Sequence, residues 1–110
     1  MRLTFVETAA FRASAKGVLS DDDLGWLEKE LLADPDAGEV IRGTGGARKI
    51  RVGLAGWGKR GAARVIYLHH AACDRVYFLL AYAKNVADDL SDVGRRAMRR
   101  TVEAIEREGC

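Results

Sequence analysis

Seven cations and no carboxylate occupy the segment from Arg42 to Arg64: Arg42, Arg48, Lys49, Arg51, Lys59, Arg60 and Arg64. Arginine grips phosphate oxygens through a planar fork of N–H donors, and a lysine crowded by like charges gives up its proton more readily. The whole chain carries 18 basic and 16 acidic residues, so the remainder outside this segment holds 11 basic against 16 acidic. Charge segregated in this way marks a surface that meets a polyanion. Seven of the twelve glycines fall in the same segment, within GTGG and GLAGWGKRG. Glycine lets backbone approach a ligand closely while the basic side chains supply the field.

Other chemistries fit these residues poorly. GTGG lacks the strand–GxxxxGK[ST]–helix setting of a nucleotide loop, since a strand follows it. His69, His70 and Cys73 lie close in sequence but lack the further ligands of a zinc site, so no metal and no cofactor is expected. No serine lies near the basic segment to serve as a nucleophile, and paired acids are absent from it. Catalysis would have to run on Arg, Lys and Tyr side chains, and RNA permits that. Its 2′-hydroxyl attacks the neighbouring phosphate internally, leaving the protein to align the backbone, move protons and stabilise charge. Tyr67 or Tyr82 could stack on a base, although strand tyrosines more often belong to the core. The competing reading is a solvated basic sheet face with glycines serving turns alone.

The elements that must position these residues are legible in outline. Leu3–Val6 reads as an opening strand, and Phe11, Ala15 and Val18 recur at helical spacing. Ser20-Asp21-Asp22-Asp23 is a strong helix start, with Leu24, Leu27 and Leu31 on one face and Trp26 and Leu32 widening it. Asp34-Pro35 ends that helix. From Arg48 to Val52 the period becomes two, so Lys49 and Arg51 face away from Ile50 and Val52. Leu54 to Gly61 reads as a hairpin loop, Ala63 to Leu68 as a central strand and Val76 to Ala83 as a third strand, making an antiparallel meander. Arg64, at the start of the central strand, is then expected near Lys84, at the end of the third. Such crowding favours an anion between them. Ser91 caps a last helix with Val93, Ala97, Met98, Thr101, Val102 and Ile105 on one face, and Gly109 closes it. The order β-α-α-β-β-β-α predicts a small α+β domain spanning 1–110, with helices packed on an antiparallel sheet.

Composition sets the remaining bounds. With 110 residues, 48% hydrophobic and 31% charged, the chain matches an ordinary globular domain. No apolar run approaches a membrane span, and the N-terminus makes a poor secretory signal, which predicts a cytoplasmic protein with no membrane partner. Cys73 and Cys110 are read as a turn or core thiol and a free terminal one.

The run IRGTGGARKIRVGLAGWGKRGAARVIY, followed by YFLLAYAKNVADDLS, resembles the RelE/ParE toxin superfamily, in particular its HigB-like branch. GTGGxRKIR, GKRGxxR and YxKN, in that order and spacing, carry the likeness over nearly the whole chain. The resemblance implies a RelE-like fold and a bacterial type II toxin: a ribosome-dependent endoribonuclease that cuts mRNA during translation and is silenced by a cognate antitoxin, of helix-turn-helix, HigA-like type. It implies catalytic roles for Arg51, Arg64 and Lys84. Arg48, Lys49, Lys59, Arg60 and Asn85 become the RNA- and ribosome-binding set. The tyrosine that some members carry just beyond the last strand has no counterpart from Val86 to Leu90. Two other outcomes belong to the same resemblance: a ParE-like inhibitor of DNA gyrase, and a translation inhibitor that binds RNA without cutting.

Overall fold

The computed structural model describes residues 2–54, 58–83 and 90–110, with the backbone alone for residue 54 and residues 58–62. The elements run β1 (Thr4–Glu7), α1 (Ala9–Ala15), α2 (Asp21–Ala33), β2 (Glu39–Val40), β3 (Arg48–Leu54), β4 (Gly58–His70), β5 (Arg75–Ala83) and α3 (Asp92–Glu108). A 3-10 turn at Ala71–Cys73 joins β4 to β5. The sheet has five strands in the order β1-β5-β4-β3-β2. The β3–β4–β5 meander is antiparallel as expected. β1 adds to β5 in parallel, which makes the whole sheet mixed.

Local signals explain most helix boundaries. Ser20 and Asp23 form the full capping box: Asp23 N donates to Ser20 Oγ at 3.1 Å and Ser20 N to the Asp23 carboxylate at 2.9 Å. The helix then stops at Asp34 before Pro35. Thr8 caps α1 and also donates to the Phe78 carbonyl at 2.9 Å, and Ser14 Oγ accepts from Ala81 N at 3.0 Å. These two bonds fasten α1 along the edge of β5 where its pairing with β1 ends.

Each face of the sheet carries its own core. On one side Val52, Val65, Tyr67, Val76 and Phe78 pack against Phe11, Leu27 and Leu31 of α1 and α2. On the other, Ile41, Ala47, Ile66, Leu68 and Leu79 meet Val102 and Ile105 of α3. β4 therefore sends successive residues from Val65 to Leu68 into alternate cores, which is why its sequence is apolar without alternation. The helix faces are narrower than their spacing suggests. Trp26 is 48% exposed and Val93 66% exposed. Ala97 and Thr101 are also exposed, so α3 is held by Met98, Val102 and Ile105 alone from its expected face.

Three expectations are corrected. β3 reaches Leu54 and β4 begins at Gly58, so strands replace most of the loop placed at residues 54–61. β2 is an additional strand with no counterpart in the expected order. Cys73 and Cys110 are not free thiols: they form a disulfide, with Cα atoms 5.5 Å apart, that ties the end of α3 to the β4–β5 turn. Among the described residues no helix is long and apolar enough to cross a membrane.

Candidate active site

The GTGG turn works as scaffold. Gly43, Gly45 and Gly46 take positive φ angles of 83°, 81° and 123°, the region where a side chain would clash with the backbone. Between them Thr44 is fully buried, its hydroxyl donating to the Ile41 carbonyl at 2.7 Å and accepting from Ala47 N at 3.1 Å. Ile41 N closes the turn on Ala47 O at 2.8 Å. The hydroxyl and the tight backbone pairing point inward, so this stretch folds β2 back onto β3.

Strand register then sorts the cations. Ile50 and Val52 belong to the α1/α2 core, which puts Lys49 and Arg51 on the α3 face, as their alternation predicts. Arg51 stands directly opposite Arg64, and Arg64 directly opposite Tyr82. One residue from each of β3, β4 and β5 thus forms a single row on one face. Tyr82 reaches it through a register shift between β4 and β5: Ile66 pairs with Leu80 but Tyr67 with Phe78, leaving Leu79 as an extra residue. Without that bulge, strict alternation from Phe78 would send Tyr82 to the α1/α2 core. Simple alternation therefore gives no reason to place a tyrosine beside the arginines.

The row borders an open cleft of about 540 Å³ lined by Ala37, Gly38, Glu39, Lys49, Ile50, Arg51 and Arg64. Arg64 Nη1 is buried and has no hydrogen-bond partner among the described residues. A buried donor without an acceptor is costly, and an anion in the cleft would supply one. Sequence reasoning misses Glu39. It lies just outside the acid-free segment, and only the pairing of Glu39 with Lys49 across β2 and β3 brings it to the cleft.

Arg48 has a different position. Its parity is that of Ile50 and Val52, and its Nη1 donates to the carbonyls of Asp36 and Gly38 at 3.1 and 2.7 Å. Its Nε lies 3.6 Å from the Asp36 carboxylate. His69 Nδ1 meets the same carboxylate oxygen at 2.9 Å. The His69 hydrogen bond, with the Arg48 charge behind it, holds the Asp36 carboxyl below its ordinary range despite slight desolvation. Tyr67, in register with Arg48, donates to the Pro35 carbonyl at 2.9 Å and accepts from Gly38 N at 2.9 Å. Burial, the largest influence on it, pushes the Tyr67 phenol above its ordinary value. Arg48, Tyr67 and His69 together pin residues 35–38, one wall of the cleft, onto the sheet.

Of the other expected residues, Lys59 and Arg60 lie in β4, where only the backbone is described. Lys84 and Asn85 lie outside the described residues, and so does the expected approach of Lys84 to Arg64. His69 and His70 face apart, as neighbours on a strand do. His69 reaches Asp36, whereas His70 Nε2 lies 3.9 Å from Cys73 Sγ.

No family model matches the chain. Among solved structures, the E. coli toxin RelE, in a doubly substituted form in the free state, is similar with a TM-score of 0.53 and 18% sequence identity, covering 80% of this chain and 90% of that one. At this identity the likeness is one of architecture: the chain has a RelE-like α+β fold, built on a five-stranded mixed sheet.

Proposed function

We propose that this chain is a toxin of a bacterial type II toxin–antitoxin system that cleaves mRNA on the ribosome. The observation that carries the reading is the opposed Arg51–Arg64 pair at the cleft, with Arg64 Nη1 buried and unpartnered among the described residues. A phosphodiester suits this pair: its oxygens accept the orphan Arg64 donor, and its charge matches two guanidinium groups on one face. Arg51 and Arg64 would hold the scissile phosphate as the neighbouring 2′-hydroxyl attacks, stabilising the charge that develops on phosphorus-bound oxygens. Lys49 adds field at the cleft. Lys84 completes the catalytic set in this reading, with Lys59, Arg60 and Asn85 contacting RNA or ribosome. Arg48 contributes by fixing the cleft wall. The sequence motifs favour the HigB-like branch, with a helix-turn-helix, HigA-like antitoxin as partner.

Mapping mRNA ends by primer extension after brief induction tests this reading. Discrete cuts within translated frames are expected for the native chain and not for Arg64→Ala. Intact messages accompanied by gyrase-dependent DNA breaks would replace it with the ParE-like reading. Inhibited translation with no cut at any dose would replace it with RNA binding alone.

A further inference from the structure

The cleft holds a carboxylate among its cations. Glu39 enters on the two-residue strand β2, and its register with Lys49 sets both side chains on the same face of the sheet as Arg51 and Arg64. The placement is firm. Gly38 before it is bonded to the buried Tyr67 hydroxyl, and a Cβ at that glycine would lie 2.9 Å from the Lys49 carbonyl oxygen and from the tyrosine ring. Among the described residues the Glu39 carboxylate has no hydrogen bond or ion pair.

A cleft that only bound phosphate would lose affinity by adding a negative group beside it. A carboxylate serves instead where the ligand offers a proton. Along an RNA backbone, the group beside each phosphate that can lose a proton and attack is the 2′-hydroxyl. Arginines do not serve as bases because the guanidinium stays protonated. We propose that Glu39 is the general base of the cleavage step, an assignment that rests on the nuclease reading above. The 2′-oxygen passes its proton to Glu39 and forms a bond to phosphorus as the bond to the 5′-oxygen breaks. The departing 5′-oxygen takes a proton from solvent, to which Glu39 releases the one it accepted. The products are a 2′,3′-cyclic phosphate and a 5′-hydroxyl, with no water consumed and no net proton change.

The test measures single-turnover cleavage on ribosomes programmed with mRNA, using the native chain, Glu39→Gln and Glu39→Ala. Affinity is measured separately on the same ribosomes carrying a message with a 2′-O-methyl group at the mapped cut. Glu39→Gln is expected to cut about 10²–10⁴-fold more slowly, the usual contribution of a general base, while binding the blocked message as well as or better than the native chain. Added formate should restore part of the rate to Glu39→Ala and none to Glu39→Gln, whose amide leaves no space for it. Cleavage by Glu39→Gln at the native rate overturns the assignment, as does a parallel loss of rate and binding. The native arm reports separately on the underlying reading: a native chain that never cuts removes the nuclease, and this base with it.

Discussion

Gly38→Ala is the most exacting probe of how the cleft wall is built. A methyl group there would lie 2.9 Å from the Lys49 carbonyl oxygen, 2.9 Å from Tyr67 Cε1 and 2.9 Å from the Tyr67 hydroxyl. None of the three can yield easily, since one is strand backbone and the others belong to a fully buried ring. Residues 35–39 must therefore lift from the sheet, breaking the Gly38 N–H bond to Tyr67 and the Tyr67 bond to Pro35. Overpacking of about 1–3 kcal/mol and two hydrogen bonds of about 1 kcal/mol each, partly recovered by relaxation, give a loss of roughly 2–4 kcal/mol. For a chain of 110 residues the melting entropy is about 0.23 kcal/mol per degree, so Tm should fall by roughly 9–17 °C. Thermal unfolding followed by circular dichroism reads this directly. Tyr67→Phe supplies a second arm: it keeps the ring but strands the Gly38 donor and the Pro35 acceptor, at about 1–3 kcal/mol. In the double variant one of the three clashes is gone, so the two losses should fall short of additivity by about 1 kcal/mol. A Gly38→Ala protein melting within about 2 °C of the native one, a difference below roughly 0.5 kcal/mol, would refute the reasoning.

Reduction should be equally visible. The Cys73–Cys110 bond closes a loop of 37 residues, which by loop-closure entropy is worth about 4 kcal/mol, so reductant or Cys73→Ser should lower Tm by roughly 15 °C; identical melts with and without reductant would contradict it. Arg64→Met should remove cleavage while raising stability by about 1 kcal/mol, because it deletes a donor that is buried without a partner among the described residues; urea unfolding that shows a clear loss would count against that reading. Asp36 is held below its ordinary carboxyl range chiefly by His69, so the stability it contributes is present above the unfolded-state value and is lost as pH falls through the lower folded one. Asp36→Asn should flatten that acid limb by a small amount, since the carboxylate is largely exposed, and a steeper limb would reverse the assignment.

What the sequence discloses follows the range of the interactions involved. The Ser20–Asp23 box spans four residues and is plain, as is the stop at Pro35. The facing of Lys49 and Arg51 away from Ile50 and Val52 follows from pleating alone. β2 is hidden because two residues make no pattern and Val40 is exposed; only its partner β3 defines it. Glu39 is lost with it. Tyr82 can be named from the sequence as a residue that could stack on a base, but its facing is hidden by the bulge at Leu79, which changes the side taken by every later residue in β5. The exposed Trp26 and Val93 show the opposite error: helical spacing nominates a face, but the width of what lies across from it decides how much is covered. Cys73 and Cys110 are brought together by the return of α3 along the sheet, a global outcome that two isolated cysteines do not announce.

The parallel seat of β1 beside β5 has a consequence for how the molecule is made. Thr4 pairs with Arg75, so β1 has no partner in this sheet until 71 further residues have been added. At about 5–20 residues per second that is a wait of roughly 4–14 s, during which Phe5 lacks the Phe78 ring that later stacks on it. The β3–β4 hairpin, by contrast, needs only adjacent chain and brings Arg51 against Arg64 within that interval. The cationic row is thus assembled from the local part of the fold, and the N-terminal strand seals the sheet edge afterwards. Slow codons or chaperones acting between residues 7 and 75 would therefore bear on the yield of folded chain.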